Sequence, residues 1–347
     1  GKSTLFNALL ATAQAEAANY PFCTIEPNTG RVSVPDTRLN ELAAIANSAQ
    51  IIPTQLEFVD IAGFVRGAAR GEGLGNQFLA RIREVDAIAH VVRVFEDANI
   101  THVEGKIDPV RDIEVVETEL ALADAETLHK RRAGIEREVK RGEKAALMEA
   151  ALLERLADAL DAGRSASSVS LAQDEAPLLV SLHLLTMKPV LFVLNTKTGN
   201  ESGSLAAVQE FLVSRGNHAV VVDVGIEQDM SESSTEERSA MRREFAPTSD
   251  GVDGLIRAGY ELLGLITFFT TGEDETRGWT IERGASAPEA GAAIHTDFRD
   301  KFIRAEVINW QVLLDAGSYA AARERGLLGT EGKQYLVEDG DVVEFRI

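Results

Sequence analysis

The stretch GKSTLFNALL (residues 1–10) begins with the closing half of a phosphate-binding loop, G-x-x-x-x-G-K-[ST], and continues into good helix formers. Such a loop is followed by a helix because the N–H groups at the helix N-terminus and the helix dipole help to hold the phosphates. The first half of the motif is expected to precede Gly1. Residues 1–4 alone are weak evidence, so the prediction of a nucleotide site needs support from the rest of the chain.

Two further segments supply this support. The stretch LEFVDIAG (residues 56–63) is an apolar strand that ends at Asp60 and opens the pattern D-x-x-G. Between the two motifs, YPFCTIEPNT (residues 20–29) is punctuated by proline and carries threonines that can reach Mg²⁺ from a loop. Three parts in the right order predict a P-loop NTPase of the α/β class, with a mostly parallel sheet.

The chemistry of phosphoryl transfer assigns a role to each motif residue. Lys2 is expected to neutralise the β- and γ-phosphates, and Ser3 to ligate Mg²⁺ through its hydroxyl. Asp60 is expected to hold the water shell of the metal, and the Gly63 N–H to sense the γ-phosphate. Thr24 is the first choice for a switch threonine that ligates the metal; the alternative is that it caps a turn.

One position departs from Ras-like enzymes. The residue after D-x-x-G is a glutamine in those enzymes, where it orients the attacking water. Here it is Phe64, which cannot hydrogen-bond, so we expect slow intrinsic hydrolysis. The nearby GEGLG (residues 71–75) does not lie between a strand and a helix of a βαβ unit. It is better interpreted as a switch segment than as a dinucleotide loop.

The remaining apolar patterns predict the rest of the fold. Residues 87–95, 190–195 and 218–224 are short apolar runs suited to central parallel strands. Apolar residues at helical spacing between residues 113 and 185, with a break near residues 134–142, predict an antiparallel helical hairpin inserted into the nucleotide domain. From about residue 265, alternating segments and the turn signal Asp339-Gly340 indicate a small mixed β/α module.

Composition limits the classes of protein and of site. The 347 residues are 45% hydrophobic, contain one cysteine and carry a formal net charge of -20, which opposes non-specific binding to nucleic acid. The lack of zinc-type ligand clusters favours an oxygen-ligated metal. No apolar run is long enough for a membrane span. Residues 129–144 hold seven Lys/Arg against three Glu, either as a solvated helix end or as a contact to RNA phosphates.

Several motifs together resemble the YchF family, the Obg-like ATPases. They are NYPFCTIEPNTG (19–30), DIAG (60–63), GEGLGN (71–76), RAGYELL (257–263) and IHTDF (294–298). The resemblance implies a Ras-like P-loop G domain, an inserted α-helical coiled-coil hairpin and a C-terminal β-grasp (TGS) domain. The boundaries that follow are residues 1–112 and 187–264 for the G domain, 113–186 for the insertion and 265–347 for the TGS domain.

The resemblance also implies an activity. Members of the family hydrolyse ATP, often in preference to GTP, associate with ribosomes, and have an apolar residue where Phe64 stands. A loop histidine is thought to serve catalysis in the family, and His102 in NITHV (residues 99–103) corresponds to it. The alternative for His102 is an ordinary surface histidine.

The base-recognition motif is where this sequence departs from the family. GTPases use N-K-x-D, whose aspartate pairs with guanine, and this family has N-x-x-E. Here the motif is NTKT (residues 195–198), with Thr198 in the acidic position. Asn195 and Thr196, together with Gly1–Thr4, are the predicted nucleotide-binding residues. Strict GTP specificity is disfavoured because no carboxylate remains to accept both guanine N–H groups, and the family implies a preference for adenine.

These observations predict a cytoplasmic, monomeric, Mg²⁺-dependent ATPase that acts as a switch on the ribosome or ribosomal RNA, with no membrane partner. One alternative is a GTP-selective switch of the Obg type, against which Thr198 argues. Another is a non-catalytic RNA-binding scaffold with a degenerate nucleotide site, which Phe64 favours.

Overall fold

The computed structural model of the chain describes residues 1–17, 28–61, 74–96, 107–198, 204–231, 233 and 235–347. Within them the chain forms two compact units. The first unit contains residues 1–3 and 59–225, and the second contains residues 4–58 and 226–347. None of the helices in these described ranges combines the length and apolar character that a membrane crossing requires.

The elements of the first two thirds of the chain are α1 (Lys2–Ala17), β1 (Thr29–Ser33), α2 (Thr37–Ala46), β2 (Gln50–Ile52), β3 (Gln55–Val59), α3 (Leu74–Glu84), β4 (Ile88–Arg93), α4 (Pro109–Gly134), α5 (Glu136–Lys140), α6 (Lys144–Asp161), α7 (Ala176–Leu182), β5 (Val190–Asn195), α8 (Ser204–Ser214), β6 (His218–Val222) and α9 (Val224–Asp229). The remaining elements are α10 (Thr235–Phe245), α11 (Gly251–Leu262), β7 (Leu265–Thr271), β8 (Glu275–Glu282), α12 (Ala287–Ile294), α13 (Thr296–Asp300), β9 (Arg304–Asn309), α14 (Trp310–Ala316), α15 (Tyr319–Glu324), β10 (Gly329–Glu331) and β11 (Asp341–Arg346).

The first unit is built on a parallel sheet of order β4-β5-β6. The three strands are the predicted apolar runs. Phe192 and Leu194 of β5 are buried in one cluster with Ile113 of α4 and Leu212 of α8. Because all three strands run in the same direction, their carboxyl ends lie at one edge. That edge is where open α/β sheets bind their ligands.

The helical segment of the first unit begins at α4. Its N-cap is Asp108, whose carboxylate accepts a hydrogen bond from the Arg111 N–H at 3.2 Å, and Pro109 occupies the first turn, where no N–H is needed. Leu152 and Leu156 of α6 are fully buried in the cluster that joins α6 to α4 and α7. The structure thus contains the two long helices, and the break between them, that the apolar spacing predicts.

The second unit contains a six-stranded sheet of order β10-β9-β11-β7-β8-β2. One face buries Phe268 together with α12, and the other buries Phe269 against Leu42 of α2. The predicted turn before the last strand is confirmed: Gly340 has φ +91°, and a Cβ there would lie 2.5 Å from Trp310 Cδ1. The sequence did not predict that β2 joins this sheet, parallel to β8.

Candidate nucleotide site

The residues of the phosphate-loop motif lie at the beginning of α1. Gly1 precedes the helix, and Lys2, Ser3 and Thr4 form its first turn. The N–H groups of a first helical turn have no partner within the helix, so such a turn can bind an anion. Gly1, Lys2 and Ser3 are exposed. The local structure therefore suits the phosphate-binding role that the motif predicts.

The predicted metal ligands are oxygen donors. Asp60 directly follows β3 and is half-buried, and Ser3 presents an exposed hydroxyl. Among the described residues, no group of three or more His, Cys, Asp or Glu could hold a metal ion by itself. A hydroxyl and a carboxylate that leave room for phosphate oxygens and water are, however, the donors that Mg²⁺ takes in nucleotide sites. The donor set of Ser3 and Asp60 therefore fits Mg²⁺.

Some residues named in the sequence analysis lie outside the described parts of the chain, and their roles stay predictions. They are Thr24, Gly63, Phe64 and His102.

The base-recognition motif lies at the carboxyl edge of the parallel sheet. Asn195 is the last residue of β5 and is buried, and its carbonyl accepts a hydrogen bond from the Val94 N–H at 3.0 Å. The Thr196 N–H donates to the Val222 carbonyl at 3.0 Å. Asn195 Oδ1 also accepts a longer bond, of 3.4 Å, from the Val224 N–H. The motif is therefore tied to both neighbouring strand ends.

Positive charge is concentrated near the phosphate loop. Arg93 ends β4, and its guanidinium lies 4.7 Å from the centre of the Phe95 ring while its Nε donates to the Phe95 carbonyl at 3.0 Å. Arg93 and Lys2 both lie close enough to the Gly1 nitrogen to interact with it electrostatically. On a chain of net charge -20, these two cations give the start of α1 a local positive charge.

His90 of β4 contributes no charge to this region at neutral pH. Its ring lies 5.6 Å from the Phe192 ring, centre to centre. Burial, reinforced by the positive charge of Lys2, lowers the pKa of His90 to about 4. The imidazole is therefore neutral at physiological pH.

Asp223, directly after β6, is a buried carboxylate that the sequence analysis did not single out. Its Oδ2 accepts hydrogen bonds from the Thr198 N–H at 2.7 Å and the Thr198 hydroxyl at 2.8 Å. Its Oδ1 accepts one from the Gly225 N–H at 3.1 Å. We call this group, Asp223 with Thr198, the base-site clamp. The available signal was an acidic residue at the carboxyl end of an apolar strand, the same signal that identified Asp60.

A second clamp of nearly the same form lies elsewhere in the same unit. Asp124 of α4 is fully buried, and its Oδ2 accepts from the Thr186 N–H at 2.8 Å and the Thr186 hydroxyl at 2.7 Å. Its Oδ1 accepts from the Leu185 N–H at 2.8 Å. Burial raises the pKa of the Asp124 carboxyl, and these hydrogen bonds oppose the rise. We call Asp124 with Thr186 the arm clamp.

Comparisons with known proteins agree with this arrangement. The YchF-GTPase_C family model, described as "Protein of unknown function (DUF933)", matches residues 265–347. A second family model, "50S ribosome-binding GTPase", matches residues 1–127. The "Ribosome-binding ATPase YchF" of Bacillus subtilis (strain 168) is 47% identical over 353 residues, covering 100% of this chain and 96% of the relative. The chain belongs to the YchF family.

Other relatives support the same conclusion along the whole chain. The YchF of Mycoplasma genitalium is 43% identical over 353 residues, covering 100% of this chain and 96% of that protein. The solved YchF GTPase of Schizosaccharomyces pombe is 35% identical with a TM-score of 0.89, covering 100% of this chain and 94% of that one. A GTP-binding protein from Pyrococcus horikoshii OT3 is 18% identical, with a TM-score of 0.62 over 99% of this chain and 96% of that one, and shows the fold alone.

Membership of the YchF family confirms the predicted fold class, an α/β P-loop G domain followed by a C-terminal domain. It also places the chain in the P-loop GTPase/ATPase superfamily of nucleotide-binding proteins.

Proposed function

We propose that this chain is a Mg²⁺-dependent nucleoside triphosphatase that prefers ATP to GTP and acts as a nucleotide-dependent switch on the ribosome or ribosome-associated RNA. The observation that carries the proposal is that Lys2 and Ser3 at the start of α1, Asp60 after β3 and Asn195 at the end of β5 belong to one compact unit. The predicted division into G domain, helical insertion and TGS domain is part of this proposal, as are a cytoplasmic location and a monomeric state.

The phosphate end of the site follows from the exposed start of α1. The ammonium of Lys2 faces the β- and γ-phosphates, and the N–H groups at the helix N-terminus donate to phosphate oxygens. Ser3 and Asp60 are the residues that would hold Mg²⁺, and the bound ion would neutralise charge on the phosphate oxygens. Gly63 senses the γ-phosphate, and His102 positions the attacking water in place of the glutamine that Phe64 replaces.

The base end of the site favours adenine because Thr198 occupies the position of the acidic residue. A threonine has no carboxylate to offer the two N–H groups of guanine. The Thr198 hydroxyl is, in addition, already engaged, because it donates to Asp223. The relatives from Bacillus subtilis and Mycoplasma genitalium are named as ATPases, which supports the same preference.

The proposed ribosome contact rests on the names of those relatives and on the basic hairpin tip, residues 129–144. Four of the seven cations in the tip are paired with carboxylates: Lys130 with Glu126, Arg131 with Glu149, Lys140 with Glu136, and Arg141 with Glu138 and Glu143. Arg132, Arg137 and Lys144 are exposed and form no ion pair with any described residue. These three are the cations available to RNA phosphates.

Turnover of a Lys2→Ala variant of the full-length protein tests the hydrolase. We expect ATP hydrolysis to fall on the order of 10³-fold, because a charge that faces the developing negative charge is deleted. Lys333→Ala, which removes an exposed lysine of the second unit, is the matched control and should hydrolyse ATP at the wild-type rate. Unchanged turnover in Lys2→Ala would refute the phosphate-loop assignment. A wild-type protein that binds ATP without hydrolysing it would favour the scaffold alternative.

A further inference from the structure

The carboxylate at the base end of the site is already used by the protein chain itself. A carboxylate has about four acceptor positions, two on each oxygen. Thr198 takes both positions of Asp223 Oδ2 with its N–H and its hydroxyl, and the Gly225 N–H takes one position of Oδ1. Asp223 is also buried, with 4% of the residue's surface exposed. At most one acceptor position is therefore left for a nucleotide base.

This count matters because the two purines differ in their donors. Guanine presents two adjacent donors, N1–H and the 2-amino group, and a site that selects it needs two acceptors side by side. A site built to pair such donors discriminates strongly, because its polar groups are left unpaired by the wrong ligand. Asp223 has no free pair of acceptors to offer, so no gain for guanine over adenine arises from it.

The clamp also explains why the acidic position of the motif tolerates threonine. The Thr198 hydroxyl lies 2.8 Å from Asp223 Oδ2, so a carboxylate at position 198 would face a second carboxylate at hydrogen-bond distance. Two such groups repel each other, and one of them must be protonated or displaced. The residues at positions 198 and 223 are therefore coupled.

We propose that Asp223 is a positioning residue that sets base selectivity: it holds Thr198 and the start of α9 in place and, from its position directly after β6, excludes a carboxylate from position 198. The inference rests on the proposed nucleotide site and adds to it the residue that denies guanine its paired acceptors. On this view, residues 198 and 223 together determine where the carboxylate of the base site lies, and the 195–198 motif alone does not.

A charge swap on the full-length protein tests this coupling. Thr198→Asp alone should weaken ATP and GTP binding together, because two carboxylates then face each other. The double variant Thr198→Asp/Asp223→Thr restores one hydroxyl and one carboxylate with their positions exchanged. It should shift the ratio of the GTP and ATP dissociation constants toward GTP by on the order of 10-fold, measured by displacement of a fluorescent nucleotide without hydrolysis.

The arm clamp supplies the matched control. Thr186→Asp/Asp124→Thr makes the same exchange in a clamp of the same hydrogen bonds, away from the base motif. This variant reports what a buried swap does to folding, by circular dichroism and thermal melting, and should leave the GTP/ATP ratio at its wild-type value.

A measurement on the unmodified protein keeps the test decisive if a swapped variant fails to fold. Inosine triphosphate lacks the 2-amino group of GTP, so a site without paired acceptors should bind the two with affinities within about 2-fold. A preference for GTP over inosine triphosphate of 10-fold or more would overturn the inference, as would a guanine preference gained by Thr198→Asp alone. A folded double swap with the wild-type GTP/ATP ratio would also overturn it.

Failure of the proposed function gives a different result. If the wild-type protein binds neither ATP nor GTP, the nucleotide site itself is refuted, and the inference with it. If the wild-type protein binds ATP and only the swap has no effect, the inference alone fails.

Discussion

The base-site clamp and the arm clamp have almost the same hydrogen bonds and very different surroundings. In each, an aspartate Oδ2 accepts from both the N–H and the hydroxyl of a threonine, and Oδ1 accepts from a second backbone N–H. The arm clamp joins α4 to residues 185–186 in the interior. The base-site clamp joins the ends of two parallel strands, beside the predicted nucleotide. We infer that the same local geometry stabilises the fold in one place and shapes the proposed nucleotide site in the other.

Removing the arm clamp should have the largest effect on folding. Asp124→Ala leaves two N–H groups and a hydroxyl without their charged acceptor in a fully buried position, so we expect the free energy of unfolding to fall by about 3 kcal/mol. Denaturant melts measure this change. Asp158→Ala, at an exposed position of α6, should change stability by less than about 0.5 kcal/mol. A decrease below about 1 kcal/mol in Asp124→Ala would contradict the structural role of the arm clamp.

Removing the base-site clamp should lower the unfolding free energy less than removing the arm clamp does, and should weaken ATP binding more. Thr198 is exposed, so water replaces part of what Asp223→Ala removes, and we expect a decrease of about 1–2 kcal/mol in unfolding free energy. ATP affinity should fall on the order of 10-fold because the 195–198 loop loses its anchor. If Asp223→Ala destabilised the fold as much as Asp124→Ala and left ATP affinity unchanged, the two clamps would be equivalent.

His90 provides a pH effect whose sign follows from its neutral, half-buried state. Its folded pKa is about 4 against an ordinary value of 6.5, so between these values the unfolded chain binds a proton that the folded chain does not. Stability due to His90 is therefore fully present above pH 6.5 and declines as pH falls toward 4, by up to about 1.4 kcal/mol per pH unit.

The pH effect is measured as the difference in unfolding free energy between wild type and His90→Gln from about pH 4 to about pH 8. We expect this difference to be constant above about pH 7 and to move in favour of the variant as the pH falls. A difference that does not vary with pH would show that His90 titrates at its ordinary value.

The smallest effect on folding and on nucleotide binding is expected at the basic hairpin tip. Replacing Arg132, Arg137 and Lys144 with alanine should change the unfolding free energy by less than about 0.5 kcal/mol, since all three are exposed. Ribosome affinity should nevertheless weaken, and its dependence on log salt should flatten by roughly 0.7–0.9 for each phosphate that the variant no longer neutralises.

A triple alanine variant in the second unit is the matched control for the tip. It replaces Arg283, Arg325 and Lys333, which are also exposed. If this variant, and not the tip variant, flattens the salt dependence of ribosome affinity, the ribosome contact lies on residues 265–347.

The sequence predicts features that local pattern determines. The strands β4, β5 and β6 and the helices α4 and α6 follow from the spacing of apolar residues. The turn at Gly340 follows from its positive φ, which residues other than glycine rarely adopt. Even two ion pairs of the tip, Lys130 with Glu126 and Lys140 with Glu136, can be predicted from the i,i+4 spacing.

The remaining features depend on contacts between residues that are far apart along the chain. The parallel pairing of β2 with β8 joins segments with no shared local signal. The Arg131–Glu149 pair forms only once α4 and α6 are packed. Asp223 was visible in the sequence as an acidic residue after an apolar strand, but its partner Thr198 is defined only by the pairing of β5 with β6. The base-selecting group could therefore not be assigned from the motif alone.

Competition between ATP and GTP for the full-length wild-type protein tests the central claim most directly. The account predicts that ATP displaces a bound fluorescent nucleotide at a lower concentration than GTP does, and that Lys2→Ala, which lacks the loop cation, is not occupied by either nucleotide at those concentrations. Displacement by GTP at the lower concentration, or equal occupancy of Lys2→Ala and wild type, would contradict it.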